Sequence, residues 1–175
     1  MPPLIFRLTC AAVLYVCGAA AAEDLTDAEL AARDYSYEGV GIGTSLNDFL
    51  KQFPSAKSQE SGKSNVTAMY VRMGRNGPML RVEIFQQQIY YIGVTFGPQI
   101  LSRHGGRDAL ESKLTATLGL PNTVRDNMSY WRFPKVHRKV GYRQGLDGSS
   151  TLLIIDTLVD KQRRERQVED LDIGF

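Results

Sequence analysis

Tyr130-Trp131-Arg132-Phe133, and sixty positions earlier Tyr70-Val71-Arg72-Met73, are the stretches on which the fold turns. Successive side chains of a β-strand point to opposite faces, so Trp131 and Phe133 share one side while Tyr130 and Arg132 share the other. Tyr70 and Arg72 take the equivalent place in the earlier stretch. One face is apolar and the other mixes phenol with guanidinium, which is the pattern of an antiparallel sheet buried on one side only.

Working outward, each stretch lies in a set of three strand-like runs. Ala68 to Met73, Met79 to Phe85 and Ile89 to Phe96 form the first set, separated by Gly74-Arg75-Asn76-Gly77-Pro78 and by the glutamines 86 to 88. Ser129 to Phe133, Val136 to Arg143 and Ser150 to Thr157 form the second. A helix precedes each set. In the first, Ser45 is an N-cap with Asp48 three positions on, Leu46, Phe49, Leu50 and Phe53 make an apolar stripe, and Pro54 stops the pattern. In the second, Asp108 caps Asp108-Ala109-Leu110-Glu111, Leu110, Leu114 and Leu118 share a face, and Gly119-Leu120-Pro121 ends it. Residues 55–65 read as a polar loop. The expected fold is α+β, two tandem units of one helix plus a three-stranded antiparallel sheet, at 39–98 and 104–157 within a domain spanning 39–157.

The flanks differ in character. Arg7 is followed by the uncharged run Leu8 to Val16 and the small residues Gly18 to Ala22, the order of a secretory signal. That run is far shorter than the roughly 20 apolar residues needed to span a bilayer. Cleavage after Ala22 would remove both cysteines, Cys10 and Cys17, leaving a cysteine-free exported chain, periplasmic or secreted. Leu14-Tyr15-Val16-Cys17 leaves a lipid anchor at Cys17 as the alternative. Residues 23–38 read as a short helix and linker, begun by the capping box Thr26-Asp27-Ala28-Glu29. Residues 158–175 are highly charged and read as a frayed tail.

Charge and chemistry exclude several classes. Lys and Arg number 21 against 19 Asp and Glu, a balance that implies neither nucleic acid nor another strongly charged partner. His104 and His137 lie in different elements with no ligand pair at metal-binding spacing, so neither metal nor cofactor is expected. Ser61-Gly62-Lys63-Ser64 has Lys57 where a phosphate loop needs its first glycine. Ser102 or Ser149, with His104 or His137 and Asp108 or Asp126, could be arranged for hydrolysis, and His104-Gly105-Gly106 could serve as an oxyanion loop. That leaves a secreted hydrolase using the His104 loop as the alternative function. The strands offer more. Tyr, Trp and Arg carry binding hot spots, and Tyr70, Arg72, Tyr130 and Arg132 can form a face extended by Arg81, Tyr90, Tyr91 and Tyr142. The same alternation also fits arginines that are merely solvated over a core.

Gly39-Val40-Gly41-Ile42-Gly43-Thr44-Ser45 leading into Leu46 to Pro54, and Leu114 to Pro121 followed by Tyr130 to Phe133, resemble the β-lactamase inhibitor protein superfamily and its relatives among small outer-membrane assembly lipoproteins. The chain departs from that pattern in having Phe53-Pro54 where the first Leu-Gly-x-Pro would stand, and in lacking disulfide cysteines once cleaved. The resemblance implies a class, not a named target: a non-catalytic exported protein whose open sheet face binds another protein.

Overall fold

A computed structural model describes residues 24–61 and 65–172. The expected signal with Cys10 and Cys17, and most of Ser61-Gly62-Lys63-Ser64, lie outside the described residues. Helix α1 (Asp27–Arg33) starts at the capping box: Glu29 N donates to Thr26 Oγ1 at 3.2 Å and Thr26 N donates to Glu29 Oε2 at 2.8 Å. A small hairpin, β1 (Ser36–Tyr37) with β2 (Val40–Gly41), leads to α2 (Leu46–Gln52), which Ser45 caps by accepting from Asp48 N at 3.1 Å.

Four strands follow as an antiparallel meander: β3 (Lys57–Glu60), β4 (Thr67–Arg72), β5 (Met79–Phe85) and β6 (Gln88–Phe96). Helices α3 (Pro98–Arg103) and α4 (Gly106–Leu118) cross over to a second meander, β7 (Thr123–Arg125), β8 (Met128–Phe133), β9 (Arg138–Gln144) and β10 (Ser150–Asp156), with a 3-10 turn at Pro134–Val136. Strands β6 and β10 pair, giving one eight-stranded sheet in the order β3-β4-β5-β6-β10-β9-β8-β7.

The expected pair of three-stranded units is thereby corrected. Each half has four strands, and both belong to a single sheet. The two missed strands are its outer edges, Lys57-Ser58-Gln59-Glu60 and Thr123-Val124-Arg125. Short polar edges discourage pairing with other chains, and the same polarity makes them read as loops. Residues 55–65 are accordingly not all loop. Asp108 does not cap α4, which begins two residues earlier after Gly105 in the left-handed conformation; the aspartate sits in the first turn instead.

One sheet face carries the core. Under α2 and the small hairpin lie Met69, Val71, Leu80, Val82, Ile92 and Val94, with Phe49, Val40 and Tyr37 above them. Under α1 and α4 lie Trp131, Phe133, Val140, Tyr142, Leu152 and Ile154. Tyr35, Ile42 and Phe96 touch both groups and join them. The Trp131 indole donates to the Gly119 carbonyl at 2.8 Å, satisfying the end of α4 from the strand below it.

The charged tail is also corrected. Thr157–Asp172 is helix α5, started by Asp156 Oδ1, which accepts from the Leu158 and Val159 amides at 3.0 Å each. Asp156 is fixed in turn by an Arg138 ion pair at 2.6 Å. No helix among the described residues is long and apolar enough to cross a membrane.

Candidate functional site

The helices α1, α2 and α4 occupy one side of the sheet, so strand parity sends the intervening side chains to the other. Following the register from strand to strand, these fall into three rows. Tyr70, Arg81, Gly93, Leu153, Gly141 and Tyr130 are successive cross-strand neighbours through the middle. On one side of that row run Glu83, Tyr91, Ile155, Lys139 and Arg132. On the other run Arg72, Met79, Thr95, Thr151, Arg143 and Met128.

Six residues named from sequence therefore share this face: Tyr70, Arg72, Arg81, Tyr91, Tyr130 and Arg132. Tyr142 does not. It has the same parity as Val140, lies buried under α4, and its hydroxyl is 3.1 Å from the Arg107 carbonyl and 3.0 Å from Ser150 Oγ. A tyrosine whose hydroxyl finds partners inside the protein can be core, and Tyr142 is core.

The first half of the face is internally neutralised. The Arg81 guanidinium lies 5.4 Å from the Tyr70 ring centroid and 5.6 Å from that of Tyr91, and it ion-pairs with Glu83. Burial alone would lower the Arg81 pKa, but the Glu83 carboxylate, with the Tyr70 and Tyr91 phenols, outweighs it and holds the group charged. Glu83 is 1% exposed and also accepts from the Tyr90 hydroxyl at 2.5 Å. Tyr90 reaches the carboxylate because β6 bulges there: Glu83 pairs with Tyr91 and Ile84 with Ile89, leaving Tyr90 as the extra residue.

Helix α5 covers this corner. Arg166 lies over the Phe85 ring at 5.6 Å, and Arg163, only 5% exposed, is close enough that its charge acts on the Tyr90 hydroxyl. Arg163 is itself held by Asp160 at 3.0 Å and by Gln167 at 3.1 Å.

The second half carries no such paired carboxylate; the one acidic charge acting on Lys139 is that of Asp160 on α5, beyond ion-pair distance. Lys139 Nζ stands 4.0 Å above the Tyr130 ring centroid. Its pKa is lowered, first by burial and then by the charges of Arg132 and Arg164. Neither Lys139 nor Arg132 nor Arg143 meets a carboxylate at ion-pair distance among the described residues.

Two glycines flatten the floor between these groups. A Cβ on Gly93 would come within 2.9 Å of the Tyr91 hydroxyl, and one on Gly141 within 2.8 Å of Leu153 Cδ1 and 3.2 Å of Tyr130 Cε1. The Tyr91 and Tyr130 rings thus lie down over bare backbone. Sequence reading passed over Lys139, Arg143 and both glycines, although a glycine inside a strand signals close approach and the alternation Lys139-Val140-Gly141-Tyr142-Arg143 places them on the open side. At the end of the face, Arg72, Met79 and Thr95 join Arg75, Pro98 and Gln99 around a cleft of about 390 Å³.

The hydrolase candidates are dispersed. Exposed His104 follows α3, and the Ser102 hydroxyl donates to the Gln99 carbonyl at 3.1 Å. Ser149 Oγ donates to Asp147 at 2.6 Å, Asp126 pairs with Arg125, and His137 has a left-handed backbone at the start of β9. No hydrogen bond joins His104 to Ser102 or Asp108 among the described residues. A second cleft, of about 430 Å³, lies between α4 and β8–β9, but its Glu111 carboxylate is engaged by Ser129 and Gln144 at 3.1 Å each. Compared with known proteins, the chain matches no family model, no curated protein and no solved structure.

Proposed function

We propose that this chain is an exported, non-catalytic module that binds another protein with the open face of its sheet. The observation carrying the proposal is the middle row. Tyr70, Arg81, Gly93, Leu153, Gly141 and Tyr130 form an unbroken aromatic, cationic and apolar band across six strands, with the helical layer behind it. Core packing accounts for Trp131 and Phe133 and leaves the positions between them free. Rigid aromatic rings and guanidinium groups contribute large contact areas at low entropic cost, and here cation–π stacking and the sheet hold them in place before any partner arrives.

Export rests on the secretory pattern of residues 1–22. Two halves built alike, each a helix followed by a meander, support both a tandem duplication and the resemblance to the β-lactamase inhibitor protein superfamily. The test is capture of a partner by the full chain from the exported fraction, repeated with Tyr130→Ala and Arg132→Ala. Each variant should melt as the wild type does and bind at least ~10-fold more weakly. Normal binding by both folded variants would refute the sheet-face reading.

A further inference from the structure

The open face is not uniform in charge, and its one acidic corner is already occupied by the chain itself. Glu83 is the only carboxylate in the three rows, and it is buried, paired with Arg81 and bonded to Tyr90. Over the adjoining Phe85 and Tyr90 lies α5, through Arg166 and through Arg163 with its partner Asp160. The remaining charges of the three rows are of one sign. Arg132, Lys139 and Arg143 stand on the second half and Arg72 at the end of the first, with no carboxylate partner among the described residues.

From this charge distribution we infer that the partner presents an acidic polypeptide segment, its carboxylates set against Lys139, Arg132 and Arg143 and its apolar side chains laid over Tyr130 and Leu153. The inference rests on the reading of the face as a protein-binding surface and adds the sign and kind of the occupant.

Three physical points support it. Lys139 and Arg132 are directly opposed cross-strand neighbours of like charge, and that repulsion, which adds to burial in lowering the proton affinity of Lys139, is relieved when a carboxylate arrives between them. Complementary charge also steers encounter and rejects wrong partners, which suits a chain whose overall charge is only +2. The cations, finally, alternate with Leu153, Ile155, Met79 and Met128 and flank a floor flattened by Gly93 and Gly141. A phosphate polymer gains little from such apolar ground, whereas a polypeptide with alternating acidic and apolar side chains covers it.

The experiment measures binding of short fluorescent peptides to the full chain. One peptide alternates glutamate with tyrosine and leucine; a second has every glutamate replaced by glutamine; a third has lysine there. The acidic peptide should bind at least ~10-fold tighter than the glutamine peptide, lose affinity as salt is raised, and outbind the lysine peptide by more. Lys139→Glu with Arg132→Glu should abolish that preference with no change in melting temperature, and the more exposed Arg143→Glu alone should reduce it should the double variant fold poorly.

Equal binding of the acidic and glutamine peptides overturns the inference. So does a partner captured through Tyr130 whose affinity ignores Lys139→Glu, although the protein-binding reading then stands. If polyphosphate or phosphatidylglycerol vesicles bind as tightly as the acidic peptide and compete with it, the occupant is a phosphate anion and the inference is likewise overturned. Loss of the broader reading looks different: no partner is captured whose binding depends on Tyr130.

Discussion

Tyr70 and Tyr130 occupy matching places in the two halves of the sheet, yet their neighbourhoods differ in what has been done with the adjacent charge. Beside Tyr70, Arg81 is paired with a buried carboxylate, backed by the bulged Tyr90 and adjoined by α5. Beside Tyr130, Lys139 lies against the ring with no carboxylate at ion-pair distance among the described residues, crowded by Arg132 and Arg164 and only partly offset by the more distant Asp160 of α5. The first half uses its polar groups to hold the structure together. In the second, Lys139, Arg132 and Arg143 have no carboxylate at ion-pair distance among the described residues. A shared scaffold thus gives one half a carboxylate-paired polar cluster and the other an unpaired one, and the placing of a single glutamate, Glu83, makes the difference.

The largest effects should come from the cores behind the two halves. Trp131→Ala and Phe49→Ala should each destabilise the protein by about 3 to 5 kcal/mol, the usual cost of emptying a buried aromatic site. Because Tyr35, Ile42 and Phe96 bridge the clusters, chemical denaturation of either variant should remain a single transition. Separate unfolding of the halves would break the idea of one cooperative sheet.

Next in size is the polar cluster itself. Glu83→Gln strands Arg81 beside two rings and weakens the Tyr90 bond. With Arg81 partly open to water the loss should be nearer about 2 kcal/mol than the full cost of breaking a buried pair. Lys139→Met, the counterpart in the other half, should change stability by no more than about 0.5 kcal/mol, since the lost cation–π contact is offset by relief of the repulsion from Arg132 and of the cost of half-burying a charge. Equal losses in the two variants would erase the contrast between the halves.

The pH dependence of Lys139 sharpens it further. Its proton affinity is lower folded than unfolded, so between the depressed pKa and the ordinary lysine value the unfolded chain binds more protons. Stability should rise slightly as pH climbs through that window, and the rise should be smaller in Lys139→Met. Thermal melts of both proteins across alkaline pH provide the measurement.

The smallest effect is local. The Glu29 carboxyl is held below its usual range, chiefly by the hydrogen bond from the Thr26 backbone, so the cap is intact above the ordinary glutamate pKa and is lost as pH falls through the lowered value. Amide exchange in α1 should accelerate on acidification, and Thr26→Ala should reproduce the acceleration at neutral pH. The sheet amides should be unaffected.

Much of the open face was legible because alternation is local. Tyr130, Trp131, Arg132 and Phe133 sort themselves by strand geometry alone, and Met79–Phe85 is a strand in the structure as it reads in the sequence. Tyr142 was misplaced by weighing its chemistry above its parity: it follows Val140 by two and so belongs with the core. The outer strands β3 and β7 escaped because edges are polar and short. Helix α5 escaped because its inner stripe is Asp160, Arg163 and Gln167, and no apolar period marks a helix that docks through charges.

The chain alone determined which residues share a strand face, where α1 and α2 begin and where α4 ends, because caps, breakers and two-residue alternation act over a few neighbouring positions. Only the tertiary structure decided that β6 pairs with β10, a junction whose Thr95 and Thr151 hydroxyls meet at 3.1 Å across more than fifty residues, and that α5 lies over the Glu83 corner. Those outcomes depend on long-range pairing and on charge meeting charge across the fold, which leave no period in the sequence to read.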